Sequence, residues 1–127
     1  QVATVSTAET GASTEGIKSY IQTAYDTWEA PPEYVLLVGD INEIPTFNFY
    51  ANPSDQPYVQ LDGDDWLQDA AVGRFPVENA NEAQALINKT INYERHPDLS
   101  GDDNWQTRSL MVAGVYASDT PGSTVDF

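Results

Sequence analysis

Between Tyr34 and Val38 five apolar residues run without a polar interruption, and Gly39-Asp40 follows at once. The run is too short for a buried helix, and it lacks the polar alternation of a strand with one wet face. Such a segment suits a strand covered on both faces, the usual state of a parallel sheet. Parallel strands cannot be joined by a tight hairpin; each needs a crossover of about a dozen residues or more, most often helical. The flanking sequence should therefore alternate helices with further short apolar runs.

It does. Ser13 or Thr14 can cap a helix with Glu15 in its first turn, and Ile17, Tyr20, Ile21, Ala24, Tyr25 and Trp28 recur at the spacing of one helical face. Ala30-Pro31-Pro32 ends that helix, because proline has no N–H to give and disfavours helical geometry in the residue before it. After the first strand, residues 41–69 show little periodicity and many Pro, Asn and Asp, which predicts a long surface excursion. Ala70 to Phe75 reads as a second buried strand. Asn79 with Glu82 forms a capping-box signature for a second helix, whose apolar stripe is Ala83, Leu86, Ile87, Thr90 and Ile91 and which stops before His96-Pro97. Arg108 to Val115 reads as a third strand, and Tyr116 to Phe127 as loop. At the other end, Gln1 to Ser6 alternates like a strand and starts abruptly, as if a segment preceded it. The expected class is α/β: a small parallel sheet with helices on both faces, carrying ligands beyond the carboxyl ends of its strands. Asp40 and Tyr116 fall at such ends.

Charge and composition then remove whole classes of function. The 127 residues carry 20 acidic and 5 basic side chains, a formal charge of −15, one histidine and no cysteine. Lys18, Lys89, Arg74, Arg95 and Arg108 are scattered among carboxylates, so neither nucleic acid nor an anionic membrane surface is an expected partner. No apolar run approaches a membrane span, and no signal sequence opens the chain. An acidic excess suits calcium-rich or salty surroundings and weakly favours a secreted or extracellular setting. Without cysteine there is no thiol nucleophile, disulfide or thiolate zinc site. His96 sits directly before Pro97 and reads as a solvated loop residue.

The densest carboxylate cluster is Asp62-Gly63-Asp64-Asp65-Trp66-Leu67-Gln68-Asp69. A hard cation such as calcium takes oxygen ligands in flexible geometry, and Asp65, Asp69 and intervening carbonyls are donors of that kind. The pattern is not an EF-hand, since glycine stands at its second position and no glutamate closes a loop of that length. A solvated acidic turn capped by its own side chains accounts for it equally well. Asp40 and Glu43 could add oxygens from the strand end. No spacing fixes a carboxylate pair for sugar hydrolysis, and phosphate loops and His-Glu-x-x-His are absent. Asn88-Lys89-Thr90 is a glycosylation sequon lying inside a predicted helix, where it reads as chance. Trp28, Trp66 and Trp105 read as packing residues, with a sugar platform conceivable for Trp66 alone.

Taken together, Tyr34 to Asp40, Ile44-Pro45, Ser54-Asp55-Gln56-x-Tyr58-x-Gln60, Gly63-x-Asp65, Val72 to Phe75 and Tyr93-Glu94-Arg95 resemble, in order and spacing, the amino-terminal subdomain of gingipain-type cysteine peptidases. The resemblance covers most of Val35 to Val115. It implies an α/β subdomain over residues 1–115, followed by a 116–127 loop leading into a missing catalytic subdomain or second chain. It further implies a secreted, calcium-binding endopeptidase acting on peptide or protein substrates by acyl transfer to a thiolate. In that family the cysteine and a His-Gly histidine lie downstream of the matched region, and this chain has neither, so no catalytic residue is assigned and the chain alone should be inactive. Asp65, the Leu67 carbonyl and Asp69 fall at the family's calcium turn, and Asp126 lies in the loop that should approach the substrate pocket. The simplest correspondence puts Tyr116 where the family's catalytic set has an acidic member. The alternative is a stand-alone calcium-stabilised module, or an inactive relative, that docks a partner protein.

Overall fold

A computed structural model describes residues 2–49, 52–97 and 109. Apart from Ser109, the third predicted strand lies outside the described residues, as do the 116–127 loop, Trp105, Tyr116 and Asp126. The element order is α1 (Thr7–Thr10), α2 (Thr14–Thr27), β1 (Tyr34–Val38), β2 (Phe47–Phe49), β3 (Asn52–Ser54), a 3-10 turn over Gln56–Val59, β4 (Ala71–Phe75) and α3 (Ala80–Arg95). β1 and β4 pair in parallel with Leu36 beside Gly73, while β2 and β3 form an antiparallel hairpin. Mixed helix and a small parallel sheet make the architecture α/β, as the apolar runs require.

Local signals set the ends of the elements. Ser13 caps α2 by accepting from the Gly16 N–H at 3.1 Å, and Asn79 caps α3 by accepting from the amides of Asn81 and Glu82, both at 3.1 Å. α3 ends at His96, an exposed cap residue whose N–H donates to the Asn92 carbonyl at 2.9 Å, in keeping with its loop reading. Gly39 closes β1 with φ +152, and a Cβ there would stand 3.1 Å from both Glu43 Cβ and Ile44 Cγ1. No larger residue fits that turn without displacing the loop.

The core lies on one side of the β1–β4 pair. Ile17 and Ile21 from α2 meet Leu37 from β1, Tyr58 and Val59 from the 3-10 turn, Leu61 and Ala70. Tyr58 and Val59 have no exposed surface. The Tyr58 ring meets Phe47 edge-on at 4.9 Å between centroids, and its hydroxyl donates to the Pro45 carbonyl.

Four expectations need correction. The 41–69 excursion is not a surface loop: it folds into a hairpin and a 3-10 turn, and it supplies Tyr58 and Val59, the most deeply buried side chains. Gln1–Ser6 does not give a strand among its described residues, Val2 to Ser6. Glu9 accepts from the Ser6 N–H at 2.9 Å and the Ser6 hydroxyl at 3.1 Å, so the segment turns into α1 instead. Trp28 leaves the α2 stripe, because the helix ends at Thr27 and Trp28 is already extended and exposed. Last, among the described residues β1 is covered on one face only. Leu37 is 4% exposed, whereas Tyr34, Leu36 and Val38 are 79%, 54% and 49% exposed. α2 and the 3-10 turn pack on the Leu37 side, and α3, which buries no residue, leaves the other side open.

Candidate functional site

Strand polarity places the carboxyl ends of β1 and β4 together, and one cation organises them. Arg74, inside β4, donates through Nε to Asp55 Oδ2 at 2.8 Å and through Nη2 to Asp55 Oδ1 at 2.7 Å, a bidentate pair whose side chains are 12% and 21% exposed. Its Nη1 reaches the carbonyls of Gly39 at 2.7 Å and Ile44 at 2.9 Å. The hydrogen bonds to Asp55 come first among the causes that hold the guanidinium even more firmly protonated than usual, against the opposing effect of burial. Arg74 thus ties β4 to the end of β1, to the 40–44 turn and to the segment leading into Tyr58. Within that turn the Asp40 carbonyl accepts from the amides of Glu43 at 3.1 Å and Ile44 at 2.8 Å. Burial raises the Tyr58 hydroxyl above its ordinary range, opposed by the Arg74 charge.

A second anchor holds the start of the acidic loop. Lys18 Nζ donates to the carbonyls of Pro57 at 2.5 Å and Gln60 at 2.7 Å, and burial lowers its pKa while Asp69 works in the opposite direction. Gln22 adds a bond to the Leu61 carbonyl at 2.9 Å. The polar face of α2 therefore grips residues 57–61 by their backbone.

Asp69 closes the acidic loop. Its Oδ2 accepts from the amides of Leu61 at 2.6 Å and Asp62 at 2.9 Å, and those two backbone bonds are the main reason its carboxyl sits below the usual aspartate range. Asp65 Oδ1 accepts from the Leu67 amide at 2.8 Å, a local Asx turn. Leu67 and Trp66 are exposed, and the Trp66 carbonyl accepts from Gln56 Nε2 at 2.7 Å. The oxygens are of the type that a hard cation takes. Asp65 and Asp69 nonetheless serve separate backbone turns, and among the described residues no group of three or more His, Cys, Asp or Glu gathers around one point. Asp126 lies outside the described residues.

The arginine clamp was not singled out from sequence, although a signal for it existed. A charged residue in the middle of a predicted buried strand must find a partner, and Asp55 stood among the acids of the matched motifs. What sequence cannot give is the return of the chain that brings Asp55 to Arg74.

Comparison with known proteins places this arrangement. The family model described as Peptidase family C25 matches residues 1–126. Gingipain R2 of Porphyromonas gingivalis is 33% identical over 99 residues, covering 78% of this chain and 13% of that protein. Gingipain R1 of the same species is 33% identical over the same length, covering 10% of its own chain. Among solved structures, the complex of the pro- and mature domains of Porphyromonas gingivalis RgpB aligns with a TM-score of 0.61 at 33% identity, over 66% of this chain and 20% of that one. The Arg-specific cysteine proteinase gingipain R aligns equally well over 19% of its length. The chain thus spans only a minor part of the relatives it matches. With a family match along nearly its whole length, the chain belongs to peptidase family C25.

Proposed function

We propose that residues 1–127 are the amino-terminal, nucleophile-free part of the catalytic domain of a secreted gingipain-like cysteine endopeptidase. The observation that carries this is the alignment of 78% of the chain at 33% identity with only 13% of gingipain R2. Its work is scaffolding. Arg74 and Asp55 hold the carboxyl ends of β1 and β4 in register beneath the loops that lead toward the rest of the domain. The cysteine, which attacks the scissile carbonyl as a thiolate, and the histidine, which protonates the leaving amine, belong to polypeptide outside this segment. The chain itself has no cysteine, so it supplies neither the attacking nor the leaving group of acyl transfer. In the same reading, calcium is held by Asp65, the Leu67 carbonyl and Asp69 and stabilises the loop without entering the chemistry; Asp126 is the residue assigned to substrate specificity.

A second reading is a stand-alone calcium-stabilised module, or inactive relative, that binds a protein partner; the exposed Tyr34, Leu36 and Val38 favour it. One experiment separates the two. The polypeptide encoded by the full reading frame should hydrolyse peptides in a reaction stopped by thiol alkylation, while residues 1–127 alone should not. Turnover by the isolated chain, or a full-length product with no alkylation-sensitive activity, would overturn the peptidase reading.

A further inference from the structure

Gln60, Leu61 and Asp62 belong to no helix or strand, yet Leu61 is buried, and directly after it the chain turns outward into residues 62–68, all of them exposed. Backbone N–H and C=O groups at such a boundary need partners that no ladder supplies. They find them on two sides. Lys18 and Gln22 lie one turn apart on α2, in the row beside the buried Ile17 and Ile21. Lys18 Nζ donates to the carbonyls of Pro57 and Gln60, and Gln22 Nε2 donates to that of Leu61. From the far end of the loop, Asp69 Oδ2 accepts from the amides of Leu61 and Asp62, and the Asp69 N–H donates to the Val59 carbonyl at 2.9 Å. The donors of α2 and the carboxylate of Asp69 thus meet on the same short stretch of backbone.

We propose that Lys18 is the positioning residue of the acidic loop: with Gln22 it locks the base of the loop to α2, so that residues 60–62 and Asp69 keep their arrangement before any ion arrives. An ammonium bonded to two carbonyls is a stronger tie than a neutral donor. It also sets a positive charge under a loop that carries Asp62, Asp64, Asp65 and Asp69, in a chain whose formal charge is −15. Releasing Lys18 leaves two part-buried carbonyls unpaired and frees residues 60–62 to move, and Asp69 then loses the fixed amides that hold its carboxylate. Lys18 therefore governs Asp69 through the backbone between them. The proposal stands apart from the calcium reading, because every bond it invokes is made by the chain itself.

Residue-resolved amide hydrogen exchange of the full-length polypeptide, with a chelator present throughout, tests this. The reporter is the Asp69 N–H, whose bond is to the Val59 carbonyl. In the parent it should exchange slowly. Lys18→Met keeps the aliphatic stem but removes the ammonium, and should speed the reporter roughly 10-fold or more while the buried Ile21 and Ala24 of α2 keep their rates. Gln22→Ala, which removes one neutral bond to the loop, should speed it roughly threefold and carries the test if Lys18→Met fails to fold. Lys89→Met removes the same charge from an exposed position on α3 and should leave the reporter unchanged. An unchanged reporter in Lys18→Met, or an equal rise in Lys18→Met and Lys89→Met, would overturn the proposal. A uniform rise at Asp69, Ile21 and Ala24 would also overturn it, by making Lys18 a general stabiliser of the fold. So would fast exchange of Asp69 in the chelated parent, whether or not added calcium then slows it. The calcium reading is judged separately, by the rise in melting temperature that calcium produces.

Discussion

The two faces of β1 show how one apolar run can meet opposite environments. Leu37 touches the α2 helix and the 3-10 turn and is buried, while Leu36, its chemically identical neighbour, is 54% exposed on the other side. Strand geometry alone produces this, since successive side chains leave opposite faces. What differs is the neighbourhood: among the described residues one face is covered and the other is not. The inner face is where this segment stores its stability, and the outer face is exposed among the described residues.

Truncation on the inner side gives the largest expected effect. Tyr58→Ala removes a fully buried ring from Phe47 and should destabilise the chain by about 3–5 kcal/mol; Leu37→Ala should cost about 2–5 kcal/mol. On the outer face Leu36→Ala should change the stability of the isolated chain by about 0.5 kcal/mol or less. Paired urea titrations check the contrast, and equal losses at Leu36 and Leu37 would mean that both faces are covered.

The arginine clamp ranks next. Asp55→Ala leaves the Arg74 guanidinium without its carboxylate while two carbonyls still hold it in place. For a pair this sheltered the loss should be about 3 kcal/mol, near the lower end for broken buried pairs because Asp55 keeps some exposure. Arg74→Lys should lose most of the same stability, since an ammonium cannot repeat the two-pronged bond to Asp55. If Arg74→Lys melts like the parent, the clamp contributes little and the register of β1 and β4 rests on apolar packing.

How much of this was legible in the sequence follows the range of the interactions. The α2 and α3 starts are set by Ser13 and Asn79 bonding to amides two or three residues on, and β1 and β4 are short apolar runs; all four were readable. Tyr58 and Val59 were missed because they sit among Pro, Asp and Gln, and only the return of the chain onto α2 buries them. The outer face of β1, bare among the described residues, was missed for the converse reason: an uninterrupted apolar run says that both faces are to be covered, not which residues cover them. At the site, the acidic residues of the 62–69 loop were visible, but their division into two separate turns was not. Helix caps fall between these extremes, and Asn79→Ala should cost about 1 kcal/mol by freeing two amides of the first α3 turn. A larger loss there would show that α3 is held down by more than its local cap.

The smallest effect lies at the acidic loop, and pH reads it. Asp69 is held below its ordinary pKa of 3.8 by the amides of Leu61 and Asp62, so the folded chain favours its ionised form more than the unfolded chain does. The contribution is therefore complete above the unfolded value and fades as pH falls through the lower folded value, in the acid range below about 3.8. Asp69→Asn keeps an acceptor oxygen but cannot ionise, so its acid unfolding curve should be shallower than the parent's in that window and parallel to it near neutrality. A curve of unchanged steepness would assign the acid response to other carboxylates. Calcium extends the comparison: if Asp65, the Leu67 carbonyl and Asp69 bind it, millimolar calcium should raise the melting temperature, and Asp65→Ala should remove most of the rise. The two variants separate the roles that sequence merges, because Asp65 bonds to the Leu67 amide within its own turn whereas Asp69 staples both ends of the loop. Asp65→Ala should thus erase the calcium response with little change in acid stability, and an equal loss of both would show that the loop is a single cooperative turn.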